Sequence, residues 1–301
     1  MRTLTDVQAA TRHLIVHGDA RDLSWLPDRS VHLVVTSPPY GLLKTYADAP
    51  GQLGNGSDPT SVRAYEEFLD ELDRCWRECE RVLVPGGRIC CVVGDVCLSR
   101  RAAGRHHVLP LAADIQVRAR ALGLDNLTPI RWLKVANIKL ECSTSSWYLG
   151  KPNLPGGIVK NDIETIVMLR KPGGYRKPTA KMERASFIPT EDYRRLFRPI
   201  WDDIKGESGR RWNHPAPYPP ELSSRLIRMF SFGGDTVLDP FAGSGTTAVS
   251  ALDSGRNSIG VEIVPEYVET MERRLTTVYR DVTVERLDAA ALDPAKLELA
   301  G

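Results

Sequence analysis

Two short stretches of this chain concentrate the residue types that do chemistry. Residues 236–247 read TVLDPFAGSGTT. An apolar run leads into Asp239, a turn carrying Gly243 and Gly245 follows, and a helix is predicted to open at Thr246. A second apolar run, SIGVEI, ends near Glu262, 17 residues beyond Gly245. This is half of a Rossmann-like unit: the glycines admit a ligand close to the backbone, and an acid on the second strand can accept bonds from ribose hydroxyls. A dinucleotide would lay its pyrophosphate over the turn and the helix N-terminus. Asp239, heading that turn, would repel a phosphate and attract a cation. Ala248 stands where a GxGxxG motif has its third glycine. S-adenosylmethionine carries an ammonium, a sulfonium and a ribose, and no phosphate, so a methyl-donor site fits these residues better. A glycine pair after a strand, taken alone, is also an ordinary strand-to-helix turn.

The second stretch lies near the other end of the chain. Residues 31–40 read VHLVVTSPPY, an apolar strand ending in Thr36-Ser37-Pro38-Pro39-Tyr40. Two prolines remove two backbone donors and leave carbonyl acceptors in a stiff turn. Such a corner suits an exocyclic amine on a planar base. The Ser37 hydroxyl and the Pro38 carbonyl can each accept one amine hydrogen, which directs the nitrogen lone pair at an incoming methyl group. Tyr40 offers a ring face for the base. In isolation the tetrapeptide is equally a Pro-Pro turn closing a strand.

The elements that must position these residues follow from patterning. Short apolar runs alternate with helix-length amphipathic segments, the signature of an α/β sheet. Strands are predicted over 13–17, 31–36, 89–93, 128–133, 165–169, 236–238 and 258–263. The clearest helix is predicted over 65–83, where Tyr65, Phe68, Leu69, Leu72, Cys75, Trp76, Cys79 and Val82 recur at spacings of three and four. Pro85-Gly86-Gly87 is predicted to end it with a turn. Further helices are predicted over 109–122, 220–229, 246–254 and 266–276, and loops over 41–60, 136–160 and 171–190. With 301 residues, 42% of them hydrophobic and 26% charged, the chain can bury a sizeable core. The six cysteines form no CxxC pair, so neither a zinc ribbon nor a thioredoxin-type site is indicated, and all six suit a reducing cytosol. No His-Cys-acid spacing suggests a metal. No stretch approaches the ~18 apolar residues of a membrane span, and the N-terminus shows no signal-peptide run, so no membrane partner is expected. The net charge of +2 hides a division: residues 100–211 hold 22 Lys or Arg against 11 Asp or Glu, and the remainder holds 18 against 27. A basic middle between acidic flanks is what a polyanion partner needs.

Together the two motifs resemble those of the amino-methyltransferases of restriction–modification systems. SPPY at 37–40 looks like their catalytic motif and DPFAGSGTT at 239–247 like their cofactor motif; the catalytic motif coming first resembles the β-type, circularly permuted arrangement. RVLVPGG at 81–87, NDIETIVMLRK at 161–171 and HPAPYPPEL at 214–222 resemble further family segments, so the likeness covers nearly the whole chain. It implies a Rossmann-like class I methyltransferase sheet, mostly parallel with one antiparallel strand and helices on both faces, in a single catalytic domain spanning 1–301. It implies catalytic roles for Ser37, Pro38, Pro39 and Tyr40. It implies S-adenosyl-L-methionine as cofactor, held by Asp19, Thr36, Ser37, His214, Asp239, Pro240, Phe241, Ala242, Gly243, Ser244, Gly245, Thr246, Glu262 and Ile263. Asp19 would meet the cofactor's adenine amine, with Asp288 as a competitor for that role. Serine opening the motif is commonest in N4-cytosine enzymes of this family, so Ser37 favours cytosine N4 over adenine N6; RNA or protein amines are a further alternative.

Catalysis of that kind requires the target base to leave the stack of duplex DNA. Two stretches, within candidate target-recognition insertions over 136–200, could meet the DNA. Residues 171–184 interleave Arg176, Lys177, Lys181 and Arg184 with Tyr175, a composition suited to phosphates. Residues 136–160 carry Lys139, Trp147 and Lys151 and could read base edges. Both read equally well as solvated loops. A cognate restriction endonuclease is the implied partner system, the protein acting in the cytoplasm at the nucleoid as a monomer or homodimer.

Overall fold

The structure, a computed structural model, describes residues 11–39, 51–54, 58, 60–134, 161–207, 218–278, 282–293 and 297. In chain order the strands are β1 (Arg12–His17), β2 (Val31–Thr36), β3 (Leu83–Val93), β4 (Val96–Leu98), β5 (His107–Leu109), β6 (Asp125–Asn126), β7 (Ile130–Leu133), β8 (Ile163–Arg170), β9 (Ile200–Trp201), β10 (Thr236–Asp239), β11 (Asn257–Glu262) and β12 (Thr283–Asp288). The helices are α1 (Val62–Val82), α2 (Arg100–Ala103), α3 (Leu111–Ala121), α4 (Ala180–Ala185), α5 (Thr190–Leu196), α6 (Pro220–Phe230), α7 (Thr246–Asp253) and α8 (Pro265–Val278). Among the described residues, one sheet runs in the order β12-β1-β11-β10-β2-β3-β8-β7-β9, with β6 also paired to β8. β12, β1, β11, β10, β2 and β3 are parallel neighbours, and β8 runs antiparallel between β3 and β7.

Side chains alternate across a strand, and here both faces are covered. Leu14, Val16, Val34, Ile89, Cys91 and Val93 pack towards α1 and α3. Ile15, Leu33, Val35, Cys90 and Val92 pack towards α6, α7 and α8 on the other side. The α1 stripe is the one the sequence spacing predicts, from Tyr65 to Val82, and Ser61 caps the helix by accepting from the Ala64 N–H at 3.3 Å.

Two local expectations are corrected. Pro85-Gly86-Gly87 does not terminate α1, because the chain turns extended at Leu83 and enters β3 at once. The triplet instead forms an irregularity inside β3: Val31 pairs with Leu83 and Leu33 with Arg88, so the PGG residues are extra on that strand. Gly86 takes φ +80°, where a Cβ would also strike the Gly174 carbonyl at 2.7 Å. Within the expected loop 171–190 lies α4, capped by the Thr179 hydroxyl, which accepts from the Met182 N–H at 3.2 Å; α5 follows from its far end. These helices bury almost nothing, which is why no apolar period announces them. β12 and β9 also escape the sequence pattern. β12 is a half-exposed edge strand, and β9 is only two residues long.

Candidate active site

The strands stay parallel across β10 and β2, but the order in which successive strands are added reverses between them. From β10 the chain proceeds through α7 to β11 on one side, and from β2 through α1 to β3 on the other. Ligands of open α/β sheets bind outside the carboxyl ends of the strands at such a switch point. A cleft opens there, and Gly18, Asp19, Ser37, Pro38, Pro39, Pro240, Phe241, Gly243, Glu262 and Ile263 line it. The two motifs, some 200 residues apart, thus share one cavity. Gly51, Gln52, Leu53, Val264 and Tyr267 complete the wall; no motif pointed to them.

The glycine turn is built from below. Gly243 and Gly245 have φ +50° and +80°, a region that disfavours other residues. The buried Arg274 of α8 donates to the Ser244 carbonyl at 2.6 Å, to the Ser244 hydroxyl at 3.0 Å and to the Thr246 hydroxyl at 3.3 Å. Ser244 and Thr246 thereby engage the protein, and Ala242 is buried in the α7–α8 core. Glu262 accepts from the Gly243 N–H at 2.7 Å and from the Val264 N–H at 2.9 Å. Burial pushes its carboxyl up to about 7, against the pull of these backbone donors. The Gly243 N–H that a phosphate would need is therefore already given to a carboxylate. An apolar wall of Leu53, Phe241 and Tyr267, an acid at the end of β11 and no free phosphate cradle fit a phosphate-free nucleoside such as S-adenosylmethionine.

Asp239 lies beneath the turn, 2% exposed, and does not line the cleft. Its carboxylate accepts from Thr36 Oγ1 at 2.6 Å and from the Phe241 N–H at 3.1 Å on one oxygen. The other oxygen accepts from Thr247 Oγ1 at 2.5 Å and Tyr218 Oη at 3.2 Å. A carboxylate offers about four lone-pair positions, and all are taken. The cation contact expected of Asp239 would thus be shared with four protein donors, and Thr36 likewise turns its hydroxyl to Asp239. Asp19 does line the cleft, but its carboxylate is gripped by Arg21 through Nε at 2.9 Å and Nη2 at 2.5 Å. Arg21 also reaches Glu71 at 2.5 Å and the Gly51 carbonyl at 2.9 Å. Asp288 sits in a neighbouring cleft, capping the turn at Ala290. Tyr40, His214, Lys139, Trp147 and Lys151 lie outside the described residues.

The basic stretch 171–184 is not brought to this cleft. β8 is antiparallel to β3, with Thr165 opposite Val93 and Arg170 opposite Arg88. Whatever follows Arg170 thus leaves from the edge where the parallel strands begin. There Arg176 pairs with Asp235, just ahead of β10, and stacks on Phe232 at 5.3 Å, and the Tyr175 hydroxyl accepts from Arg170 at 3.1 Å. Lys177, Lys181 and Arg184 are not buried. Leu133 and Ile163, by contrast, pair at the cleft edge of the sheet. Among the described residues no helix is long and apolar enough to cross a membrane, and no cluster of His, Cys, Asp or Glu could hold a metal.

Comparison with known proteins places this geometry. The model of the N6_N4_Mtase family, described as DNA methylase, matches residues 31–273. The type II methyltransferase M.MjaI of Methanocaldococcus jannaschii is 34% identical, the alignment covering 90% of this chain and 94% of the relative. M.MthZI of Methanothermobacter thermautotrophicus, also a type II methyltransferase, is 32% identical over 88% and 77% of the two chains. The crystal structure of a putative DNA modification methylase from Thermus thermophilus, complexed with S-adenosyl-L-methionine, superposes with a TM-score of 0.74 at 49% identity, covering 93% of this chain and 98% of that one. The PvuII cytosine-N4-specific DNA methyltransferase shares the fold, with a TM-score of 0.61 at 22% identity over 93% and 95%. The chain belongs to the N6/N4 DNA methylase family.

Proposed function

We propose that this protein transfers a methyl group from S-adenosyl-L-methionine to the exocyclic N4 amine of cytosine in duplex DNA. The observation that carries this reading is the single cleft walled on one side by Ser37, Pro38 and Pro39 and on the other by the Gly243 turn and Glu262. When bound, the cofactor supplies an electrophilic methyl on a sulfonium. Glu262 keeps acceptor capacity for ribose hydroxyls, and Phe241, Leu53 and Tyr267 offer apolar surface to a base. On the acceptor side the target base leaves the stack. The Ser37 hydroxyl and Pro38 carbonyl accept hydrogen bonds from its two amine N–H groups, and Tyr40 stacks on its ring. As the N–CH3 bond forms, the S–CH3 bond breaks to leave the neutral thioether, and N4 keeps one hydrogen and releases the other as a proton to solvent. N4, once oriented, needs no covalent activation, so the residues act mainly by positioning. Pairing of Leu133 with Ile163 at the cleft edge favours the stretch between them, with Lys139, Trp147 and Lys151, as the reader of bases. The chain acts as one catalytic domain, in company with a cognate endonuclease.

Serine at position 37 is what favours cytosine N4 over adenine N6. Nucleoside mass spectrometry of host DNA after expression tests the choice. The expected product is N4-methylcytosine; N6-methyladenine would move the specificity to the alternative, and unmodified DNA would point to another substrate.

A further inference from the structure

The filled valence of Asp239 raises the question of what a buried carboxylate does there. Its donors come from separate parts of the fold: Thr36 ends β2, Phe241 lies in the glycine turn, Thr247 is in the first turn of α7, and Tyr218 precedes α6. Thr36 is the residue immediately before Ser37-Pro38. Phe241 and Thr247 bracket the turn that faces the donor. Asp239 therefore joins the acceptor side of the cleft to the donor side through its own side chain.

Tyr218 has a particular place in this junction. Its hydroxyl meets both Asp239 Oδ2 and Thr247 Oγ1, and the Thr247 hydroxyl also lies 3.3 Å from the Val35 carbonyl of β2. Two hydroxyl protons serve these acceptors. Tyr218 and Thr247 both donate to Asp239 Oδ2, and the Thr247 proton is shared with the more distant Val35 carbonyl, so β2 is held through both a side chain and its backbone. Without the Tyr218 hydroxyl, Asp239 loses one of its four donors and draws the Thr247 proton away from Val35. Alignment errors well below an ångström matter in group transfer.

We propose that Tyr218, acting through Asp239 and Thr36, is a positioning residue that keeps the Ser37-Pro38 corner in register with the cofactor turn. The proposal rests on the methyl-transfer reading above. It predicts a defect in the transfer step and little change in donor binding.

Single-turnover transfer of a labelled methyl group, with donor affinity by calorimetry and melting in parallel, tests it. Tyr218→Phe should lower the transfer rate at least tenfold while donor Kd stays within twofold. Thr36→Val should do the same, and Thr36→Ser, which restores a hydroxyl, should recover most of that rate. The double variant Tyr218→Phe with Thr36→Val should lose little more than the slower single variant, because both act on one junction. Wild-type transfer by Tyr218→Phe would overturn the positioning role, as would a loss confined to donor Kd or to melting temperature. If Tyr218→Phe does not fold, the Thr36→Val and Thr36→Ser pair decides: equal rates in the two would overturn the junction. Absence of methyl product from the wild-type protein on every DNA would instead overturn the function itself, and this inference with it.

Discussion

Glu262 shows at the residue scale how burial tunes a binding group. Its carboxyl, pushed up to about 7 by desolvation, is shared between two protonation states near neutrality. As a carboxylate it can accept from two ribose hydroxyls; protonated, it gives up one acceptor site. Donor affinity should therefore rise as pH increases through about 7, and Glu262→Gln should flatten that profile. Calorimetry between pH 6 and pH 8, about one unit either side of that midpoint, checks it, and an unchanged slope in the variant would assign the titration elsewhere. The sign for stability is opposite. Because the folded pKa lies above the unfolded value, the stability contributed by protonated Glu262 is complete below about 4.5 and lost as pH rises through about 7. Asp239 illustrates a different outcome of burial. Its pKa is also raised by desolvation, but four donors fill its oxygens. Asp239→Ala would strand several buried donors at about 1–3 kcal/mol each. Denaturant melts should show a loss of roughly 3 kcal/mol or more, so weaker donor binding in this variant would come with a weakened fold. A variant of wild-type stability would contradict the junction.

At the scale of elements, the turn between β10 and α7 depends on small residues against α8. Gly245 stands at φ +80°, and a Cβ there would lie 2.5 Å from the Met271 side chain. Gly245→Ala should cost roughly 2–4 kcal/mol, from left-handed strain and overpacking together. The turn would shift and donor binding weaken. Trimming the obstacle in a Gly245→Ala, Met271→Ala double variant should recover part of the donor affinity, since the 2.5 Å contact with the Met271 Cγ goes while the left-handed strain, the 3.1 Å contact with its Cβ and a new cavity remain. If the double variant binds no better, contact with Met271 is not the constraint. The same logic explains Arg274: a buried guanidinium on α8 that holds Ser244 and Thr246 sets the turn on its helix. Nothing in the spacing of residues 265–278 marks that arginine out from its neighbours.

At the scale of the whole molecule, the sheet separates two surfaces that the sequence alone would let act together. Ser37 and Glu262 stand at one edge, and Lys177 and Lys181 follow a strand that ends at the other. β2, with six residues, spans about 20 Å at ~3.3 Å per residue. Charges screen over about 8 Å at physiological ionic strength. Lys177→Glu with Lys181→Glu should thus change affinity for a short duplex less than twofold at physiological salt and leave its methylation rate intact. Titration of labelled duplexes checks this; a tenfold loss, uniform across sequences, would place residues 171–184 against DNA phosphates.

How much of this was legible beforehand follows from the range of the forces involved. The alternation of apolar runs determined the α/β class, and the α1 stripe from Tyr65 to Val82 determined which face is buried, because burial of a helix face leaves a local period. The turn residues TVLDPFAGSGTT and the TSPPY corner were readable for the same reason: left-handed glycines and paired prolines impose their geometry on immediate neighbours. Short exposed helices at 180–196 and the edge strand β12 leave no such trace. The partners of Asp239 were not readable either. Thr36 is 203 positions away, and a charge at the head of a glycine turn looks the same in sequence whether it meets a ligand or four internal donors. Only the packing of β2, α7 and the residues before α6 around the end of β10 decided between these, by placing hydroxyls where a carboxylate removed from water must find them. Likewise the basic composition of 171–184 belongs to the sequence, but the antiparallel direction of β8, a matter of tertiary pairing, carried it away from the cleft.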